Sequence, residues 1–247
     1  MVDIASLRTF GRRAFRQAVA MVWPPVCVLC GGYGQKPSRD LCAPCEGDLP
    51  ASDAACSVCA EPLASAGTDL RCGACLRRAP RFDAACCAFR YAYPVDHLIR
   101  ALKYQGAIAQ SRVLGNLLAA HISQVHRGPL PELLIPVPLA QGRFQSRGYN
   151  QAIELGKHLE KRLHIPLRAD LVVRTRETAE QAGLGQKERR RNIRGAFACS
   201  GRLPVRHLAI VDDVVTTGST VNELARLLKR EGAKRVEVWA VARAGKV

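Results

Sequence analysis

Eight of the eleven cysteines fall between positions 27 and 75, in four identically spaced pairs: Cys27-Val-Leu-Cys30, Cys42-Ala-Pro-Cys45, Cys56-Ser-Val-Cys59 and Cys72-Gly-Ala-Cys75. No other feature limits the fold as sharply, because a CxxC turn aims two sulfurs at one point and two such turns close one tetrahedral zinc site. The intervening loops of eleven, ten and twelve residues have zinc-ribbon lengths. Disulfides are the other use of paired cysteines, but a chain without a secretory signal meets a reducing cytosol in which they do not persist. A redox CxxC would stand alone inside a βαβ pattern. The segment carries few large apolar residues, so metal must supply the folding energy that so small a core cannot. Two structural sites are expected, with every position filled by Cys and none open to water. Short loops close at lower entropic cost, which favours the sequential sets Cys27, Cys30, Cys42, Cys45 and Cys56, Cys59, Cys72, Cys75 over a cross-braced arrangement. Cys86, Cys87 and Cys199 lack the spacing and are expected as ordinary buried thiols.

At 247 residues and 48% hydrophobic content, the chain can fill one medium core and carry a small appendage, which excludes disordered and fibrous classes. Its net charge of +16 calls for a polyanionic ligand: nucleic acid, an anionic membrane or a phosphate-rich small molecule. Arg12-Arg13 stands before an apolar stretch, as in a twin-arginine signal, but residues 18–23 give only six apolar positions before Pro24-Pro25. No segment reaches the ~20 apolar residues of a membrane span. A cytoplasmic protein is expected. Residues 6–22 read as an amphipathic helix, with Leu7, Phe10, Ala14 and Val22 on one face and Arg8, Arg12, Arg13 and Arg16 on the other.

From residue 80 onward the pattern is α/β. Residues 89–93 read as a strand, 95–104, 111–125 and 150–163 as helices, and 133–139, 171–174, 208–211 and 236–241 as short apolar runs. Continuous apolar runs alternating with helices indicate a parallel sheet covered on both faces, with sites at the carboxyl ends of its strands. The domains are expected at 1–23 (basic helix), 24–79 (double ribbon) and 80–247 (α/β domain).

The most informative stretch is HLAIVDDVVTTGST, residues 207–220. An apolar strand ends in Asp212 and Asp213, and Thr216, Thr217, Gly218, Ser219 and Thr220 follow as a helix begins. Hydroxyls and backbone N–H groups at a helix start make a nest for a phosphate, with Gly218 allowing close backbone approach. Two carboxylates upstream repel a phosphate unless they face hydroxyls of the same ligand. A phosphorylated ribose meets both demands, its 5-phosphate in the nest and its 2- and 3-hydroxyls on the acids. A P-loop needs a Lys that this loop lacks, and the GxGxxG of a dinucleotide fold is absent. A receiver-type acidic pair would lie on the first strand, whereas 34 residues follow Asp213. An ordinary strand end with a Thr-rich cap is the plain alternative.

VDDVVTTGST resembles the phosphoribosyl-pyrophosphate (PRPP) motif of type I phosphoribosyltransferases, and the chain resembles the ComF family, a double zinc ribbon joined to a phosphoribosyltransferase-like domain. The likeness runs over nearly all of 24–247 and includes YAYPVDHLIRALKYQG (91–106), IPVPLAQGRFQSRGYNQ (135–151) and QAGLGQKERRRNIRGAF (181–197). It implies a type I phosphoribosyltransferase-like parallel sheet flanked by helices. It also implies a pyrophosphate loop at Pro138, Leu139 and Ala140, with the Leu139 and Ala140 N–H groups facing the diphosphate and Arg143 and Arg147 neutralising it. A flexible loop over 181–192, with Lys187, Arg189, Arg190 and Arg191, would close over the site and bring cations to the leaving group. The plain readings of these arginines are a solvated basic loop or a nucleic-acid contact.

The reaction the resemblance implies is displacement of pyrophosphate from C1 of PRPP by a nitrogen nucleophile, with Mg²⁺ bridging ribose hydroxyls and diphosphate. Asp212 and Asp213 are its candidate catalytic residues. Where purine-salvage relatives place an acid, this chain has Thr216, which argues against a hypoxanthine-type acceptor. Three functions compete: a phosphoribosyltransferase of unidentified acceptor, a non-catalytic PRPP-sensing regulator, and a competence or DNA-utilisation protein contacting single-stranded DNA and competence or recombination proteins. With 5% aromatic residues the chain offers no evident stacking platform for single strands.

Overall fold

A computed structural model describes residues 25–34, 40–65, 67, 70–176 and 191–245. The expected helix over 6–22 and the loop residues Lys187, Arg189 and Arg190 lie outside the described residues. The chain divides into two compact units, Met1–Leu49 and Pro50–Val247.

The first unit holds a CxxC knuckle and one helical turn. The Gly31 N–H donates to the Cys27 carbonyl at 2.9 Å, and Gly31 takes the left-handed φ of 74° that this turn requires. Helix α1 (Ala43–Gly47) starts directly after Cys42. The second unit repeats the construction. The Ala60 N–H donates to the Cys56 carbonyl at 2.9 Å, again with positive φ, and α2 (Gly73–Arg77) starts directly after Cys72.

The rest of the second unit is the α/β body. In order come β1 (Ala84–Arg90), α3 (Val95–Tyr104), α4 (Ala109–Val125), β2 (Leu133–Pro136), α5 (Gln141–Arg147), α6 (Gln151–Leu163), β3 (Val172–Arg174), β4 (Phe197–Cys199), β5 (His207–Val215), α7 (Ser219–Arg230) and β6 (Arg235–Arg243). Four strands form a parallel sheet in the order β1-β6-β5-β2, and β3 and β4 form a separate antiparallel pair. The sheet is covered on both faces, as its unbroken apolar runs require. Leu208, Ile210, Val236, Val238 and Ala240 share one cluster with Val221, Leu224, Ala225 and Leu228 of α7. The alternate positions Ala209, Val211, Trp239 and Val241 are fully buried, and α6 packs on β5 and α4 on β6. Helices α4 and α6 meet closely at Gly115, where an added Cβ would lie 2.7 Å from the His158 Cβ.

Four readings shift. The strand expected at 89–93 lies at Ala84–Arg90, because Pro94 stands at the start of α3 and the exposed Tyr93 has no ladder partner. Arg143 and Arg147 sit on a helix, α5, rather than in a loop. Strand β4 was not read at all. And β5 continues through Val215, so the acidic pair lies within the strand rather than at its end.

At the amino end of the sheet, Glu237 is buried and accepts from His126 Nε2 at 3.0 Å, His207 Nε2 at 3.1 Å, Arg235 Nε at 2.9 Å and Trp239 Nε1 at 3.1 Å. Burial works to raise its pKa, but Arg235 and the histidines outweigh it and the net direction is down. A carboxyl whose folded pKa is lowered contributes stability above its unfolded pKa, and that contribution is lost as pH falls through the folded value. Glu237→Ala therefore leaves the His126, His207, Arg235 and Trp239 donors without their acceptor and is expected to cost about 1–3 kcal/mol in urea unfolding. Glu237→Gln is expected to cost less and to flatten the fall of stability below about pH 4.5. An unchanged urea midpoint for Glu237→Ala contradicts this account.

Candidate functional site

The eight cysteines of the CxxC pairs form two groups, Cys27, Cys30, Cys42, Cys45 and Cys56, Cys59, Cys72, Cys75, with the ligand atoms of each group within 4.8 Å of one another. Pairing is sequential. A tetrahedral zinc with Zn–S near 2.3 Å sets its sulfurs about 3.8 Å apart. Cys30 and Cys42 Sγ are 3.7 Å apart, and Cys59 and Cys72 Sγ 3.6 Å, so the clusters have the edge length a zinc ion demands. Backbone N–H groups point at the first sulfur of each site. Burial pushes the Cys56 thiol up, but N–H groups of Cys72, Cys59 and Val58 outweigh it and hold the pKa at about 7. The chain thus carries two four-cysteine zinc sites. Of the remaining thiols, Cys87 is buried as expected, while Cys86 and Cys199 are half-buried. Burial pushes Cys86 up to about 12, which makes it inert.

The second site lies where the carboxyl ends of β5 and β6 arrive. Asp213 is 3% exposed and Asp212 9%. Lys103 Nζ, at the end of α3, approaches Asp213 Oδ2 to 2.5 Å, and the Asp213 N–H donates to Asp212 Oδ1 at 2.9 Å. Burial, and then the neighbouring Asp213 charge, push Asp212 well above the usual carboxylate range. Burial acts on Asp213 in the same sense, but Lys103 outweighs it and the net direction is down. Lys103 is thus the cation set against this acidic pair. Lys103 is the residue the sequence reading missed.

Two residues past Val215 the chain turns into α7. Gly218 caps the helix at φ 72°, a left-handed conformation that a Cβ would strain. That conformation is what glycine serves here, since the added Cβ would meet nothing closer than Val215 Cγ1 at 3.9 Å. Thr217 Oγ1 lies 2.9 Å from Ser219 Oγ and accepts from the Ser219 N–H at 3.4 Å, so hydroxyls and amides converge at the helix start beside Thr216 and Thr220. This is an anion nest in form.

On the other side of β5, the Val137 N–H donates to the Val211 carbonyl at 2.9 Å, after which Pro138, Leu139 and Ala140 leave the sheet as a loop. Asn150 steadies it: Nδ2 donates to the Val137 carbonyl at 3.0 Å while Oδ1 accepts from the Ala152 N–H at 2.9 Å and caps α6. Arg143 is exposed, whereas Arg147 stacks on the Tyr104 ring at 5.4 Å and donates to Gln151 Oε1 at 2.6 Å. A cleft of about 590 Å³ opens in front of the nest, lined by Thr217 and Ser219, by Arg77, Arg78 and Arg81 after the second zinc site, and by Arg194. Among the described residues these four arginines make no ion pair.

Comparison with known proteins gives a double zinc ribbon domain over residues 18–76 and a phosphoribosyl transferase domain over residues 150–246. Competence protein F of Haemophilus influenzae is 37% identical over 224 residues, covering 88% of this chain and 96% of that protein. DNA utilization protein YhgH of Escherichia coli K12 is 35% identical over 229 residues, covering 89% of this chain and 97% of that protein. Competence protein ComFC of Streptococcus pneumoniae is 24% identical over 155 residues, covering 63% of this chain and 66% of that protein. Among the described residues, no helix is long and apolar enough to cross a membrane.

Two outcomes follow from this geometry. Metal analysis of reduced, full-length protein is expected to give two zinc per chain and about one in Cys59→Ser, since three thiolates cannot replace four. Lys103→Met, which strands a buried charge, is expected to cost about 3–5 kcal/mol, most of it recovered by adding Asp213→Asn. Additive losses in the double variant overturn the pairing.

Proposed function

Because the chain belongs to the ComF family of competence and DNA-utilisation proteins, we propose that its phosphoribosyltransferase domain binds PRPP and transfers the phosphoribosyl group to a nitrogen acceptor. The observation that carries this reading is the nest of Thr217, Gly218 and Ser219 set a few residues after a buried acidic pair. One polar end suits a phosphate and the other suits ribose hydroxyls, and few ligands other than a ribose phosphate join the two. In the loop Pro138-Leu139-Ala140, Leu139 and Ala140 supply backbone N–H groups for the diphosphate, and Arg143 offers an exposed guanidinium nearby. The carboxylates of Asp212 and Asp213 are hard oxygen donors that would suit Mg²⁺, and the ion would supply charge neutralisation for the diphosphate.

In the proposed reaction the acceptor nitrogen bonds to C1 as the C1–O bond to the diphosphate breaks. The diphosphate leaves with the bonding electron pair, and the proton lost by nitrogen passes to solvent. Asp212 and Asp213 orient the ribose hydroxyls, and the nest fixes the 5-phosphate, so C1 is held in line between nucleophile and leaving group. The basic segment carrying Lys187, Arg189 and Arg190 joins β3 to β4 and is proposed to close over the diphosphate. Thr216 cannot act as an acid or base on the acceptor, which favours an acceptor that needs no such help.

A second reading concerns the partner. Arg77, Arg78, Arg81 and Arg194, gathered along one cleft, favour contact with a phosphodiester backbone, in keeping with the DNA utilisation for which the relatives are named. It predicts weak, sequence-independent binding of single-stranded DNA that falls steeply with salt, and a salt-independent affinity rejects it.

Calorimetry with PRPP and Mg²⁺ tests the main reading. Wild type is expected to bind, and Asp212→Asn or Asp213→Ala to bind about ten- to a hundred-fold more weakly with zinc content unchanged, the loss of one charge-assisted hydrogen bond. No binding at millimolar PRPP overturns it. Pyrophosphate release with a panel of bases and amines then separates a transferase from a PRPP-sensing regulator.

A further inference from the structure

Arg243, the last residue of β6, is 4% exposed, and its guanidinium joins two parts of the second unit that the sequence sets far apart. Toward the ribbon, Nε donates to the Cys59 carbonyl at 3.1 Å, and Nη2 donates to Glu61 Oε2. Toward the site, Nη1 donates to the Val215 carbonyl at 2.9 Å and to the Thr216 carbonyl, and also reaches the Ala244 carbonyl at 2.7 Å. The Ala244 N–H closes the same junction on the Val215 carbonyl at 3.0 Å. Cys59 is a zinc ligand, Glu61 lies two residues beyond it, and Val215 and Thr216 lead directly into the nest. One buried cation is therefore shared by the metal knuckle and the phosphate loop.

We propose that Arg243 is a positioning residue through which occupancy of the second zinc site sets the form of the phosphate loop. The functional weight of this coupling rests on the reading of that loop as a phosphate site. The physical argument is one of satisfaction. A guanidinium presents five donors in a rigid fork, and at 4% exposure these rely on protein acceptors. With zinc bound, the Cys56-to-Cys59 turn is fixed, and the Cys59 carbonyl and the Glu61 carboxylate hold the fork in one orientation. The opposite edge of the fork then holds the Val215 and Thr216 carbonyls, which fixes where the following amides of Thr217, Gly218 and Ser219 point. Without zinc the turn loses its constraint, Glu61 and the Cys59 carbonyl are released, and the fork can satisfy its donors elsewhere. Phosphate-loop amides then lose the convergence that an anion needs. A lysine could not replace Arg243, because an ammonium cannot span both edges.

Hydrogen–deuterium exchange on the full-length, zinc-loaded protein tests the coupling, read on peptides covering 214–220, with β2 and α6 peptides as the control for global unfolding. Cys72→Ser, which empties the second site, and Arg243→Met, which removes the fork, are each expected to raise exchange of the loop about tenfold, with β2 and α6 still protected. In the double variant the effect is expected to be no larger than in either single variant, because both break one chain of contacts. Glu61→Gln, which keeps the ligands and the shape of the ribbon, is expected to loosen the loop alone and to a smaller extent. Loop exchange that stays at the wild-type value in Cys72→Ser, or effects that multiply in the double variant, overturn the proposal. If control peptides in Cys72→Ser also open, Glu61→Gln decides: unchanged loop exchange there rejects the coupling. Ribose 5-phosphate, added to wild type, reads the ligand assignment separately. Failure to protect 214–220 counts against the phosphate reading, while the exchange of the variants still decides the link to zinc.

Discussion

A charge taken out of water must meet an opposite charge or a set of hydrogen bonds, and the two central strands of this sheet carry four such groups. Asp212 and Asp213 lie on β5, and Glu237 and Arg243 on β6. Three of them are answered from outside their own strand: Asp213 by Lys103 of α3, Glu237 by His126 at the end of α4 and His207 of β5, and Arg243 by Glu61 of the ribbon. The apolar residues between them hold the sheet together without saying which helix must sit at which end. The buried charges do say so, because a misplaced helix would leave a charge bare at a cost of several kcal/mol.

The two ends of the sheet use this rule differently. At the amino end every acceptor position of Glu237 is taken and the arrangement is closed. At the carboxyl end the ledger is short of cations. Lys103 serves the acidic pair, which leaves a site suited to donors that a ligand brings. The nest at the start of α7 has the reverse need, since its amides and hydroxyls are donors that face a cleft lined by arginines. An acceptor-rich strand followed within four residues by a donor-rich helix start explains why one ligand must supply both hydroxyls and a phosphate.

Much of this was legible in the sequence, and the reasons differ by element. Helix α3 was read at its observed bounds because Val95, Leu98, Ile99 and Leu102 recur at helical spacing and all four are fully buried. The zinc sites were legible because metal geometry is written in spacing alone. The nest was legible because hydroxyls and glycine cluster locally. Strand β4 was not, since only Phe197 of its three residues is buried and three residues give no period. Strand β1 was displaced because Tyr91 and Tyr93 look like strand residues, whereas the observed run of Ala and Cys has little β preference of its own and is held by pairing to β6. Lys103, Glu61 and Arg243 were missed for one common reason. Each is a charged residue in ordinary surroundings, and its role exists only through a partner, 182 positions away in the case of Arg243 and Glu61.

That distance also bears on how ribbon and α/β body work together. The ladder contact of Ala51 with Phe89 and the bond from the Arg81 N–H to Asn222 Oδ1 at 2.6 Å fasten the second ribbon along β1 and α7. Phe82 enters the apolar cluster under α7. A metal-held knuckle has almost no core, so its rigidity comes from the ion and its position from these contacts. Placed over the strand ends, it supplies the three arginines of the cleft and the carbonyl that holds Arg243. A sheet alone ends in loops, which are mobile by nature. A zinc knuckle is a way to cover a strand end with something stiff that needs few residues, and this accounts for the four cysteines of the second site, none of which the proposed chemistry uses.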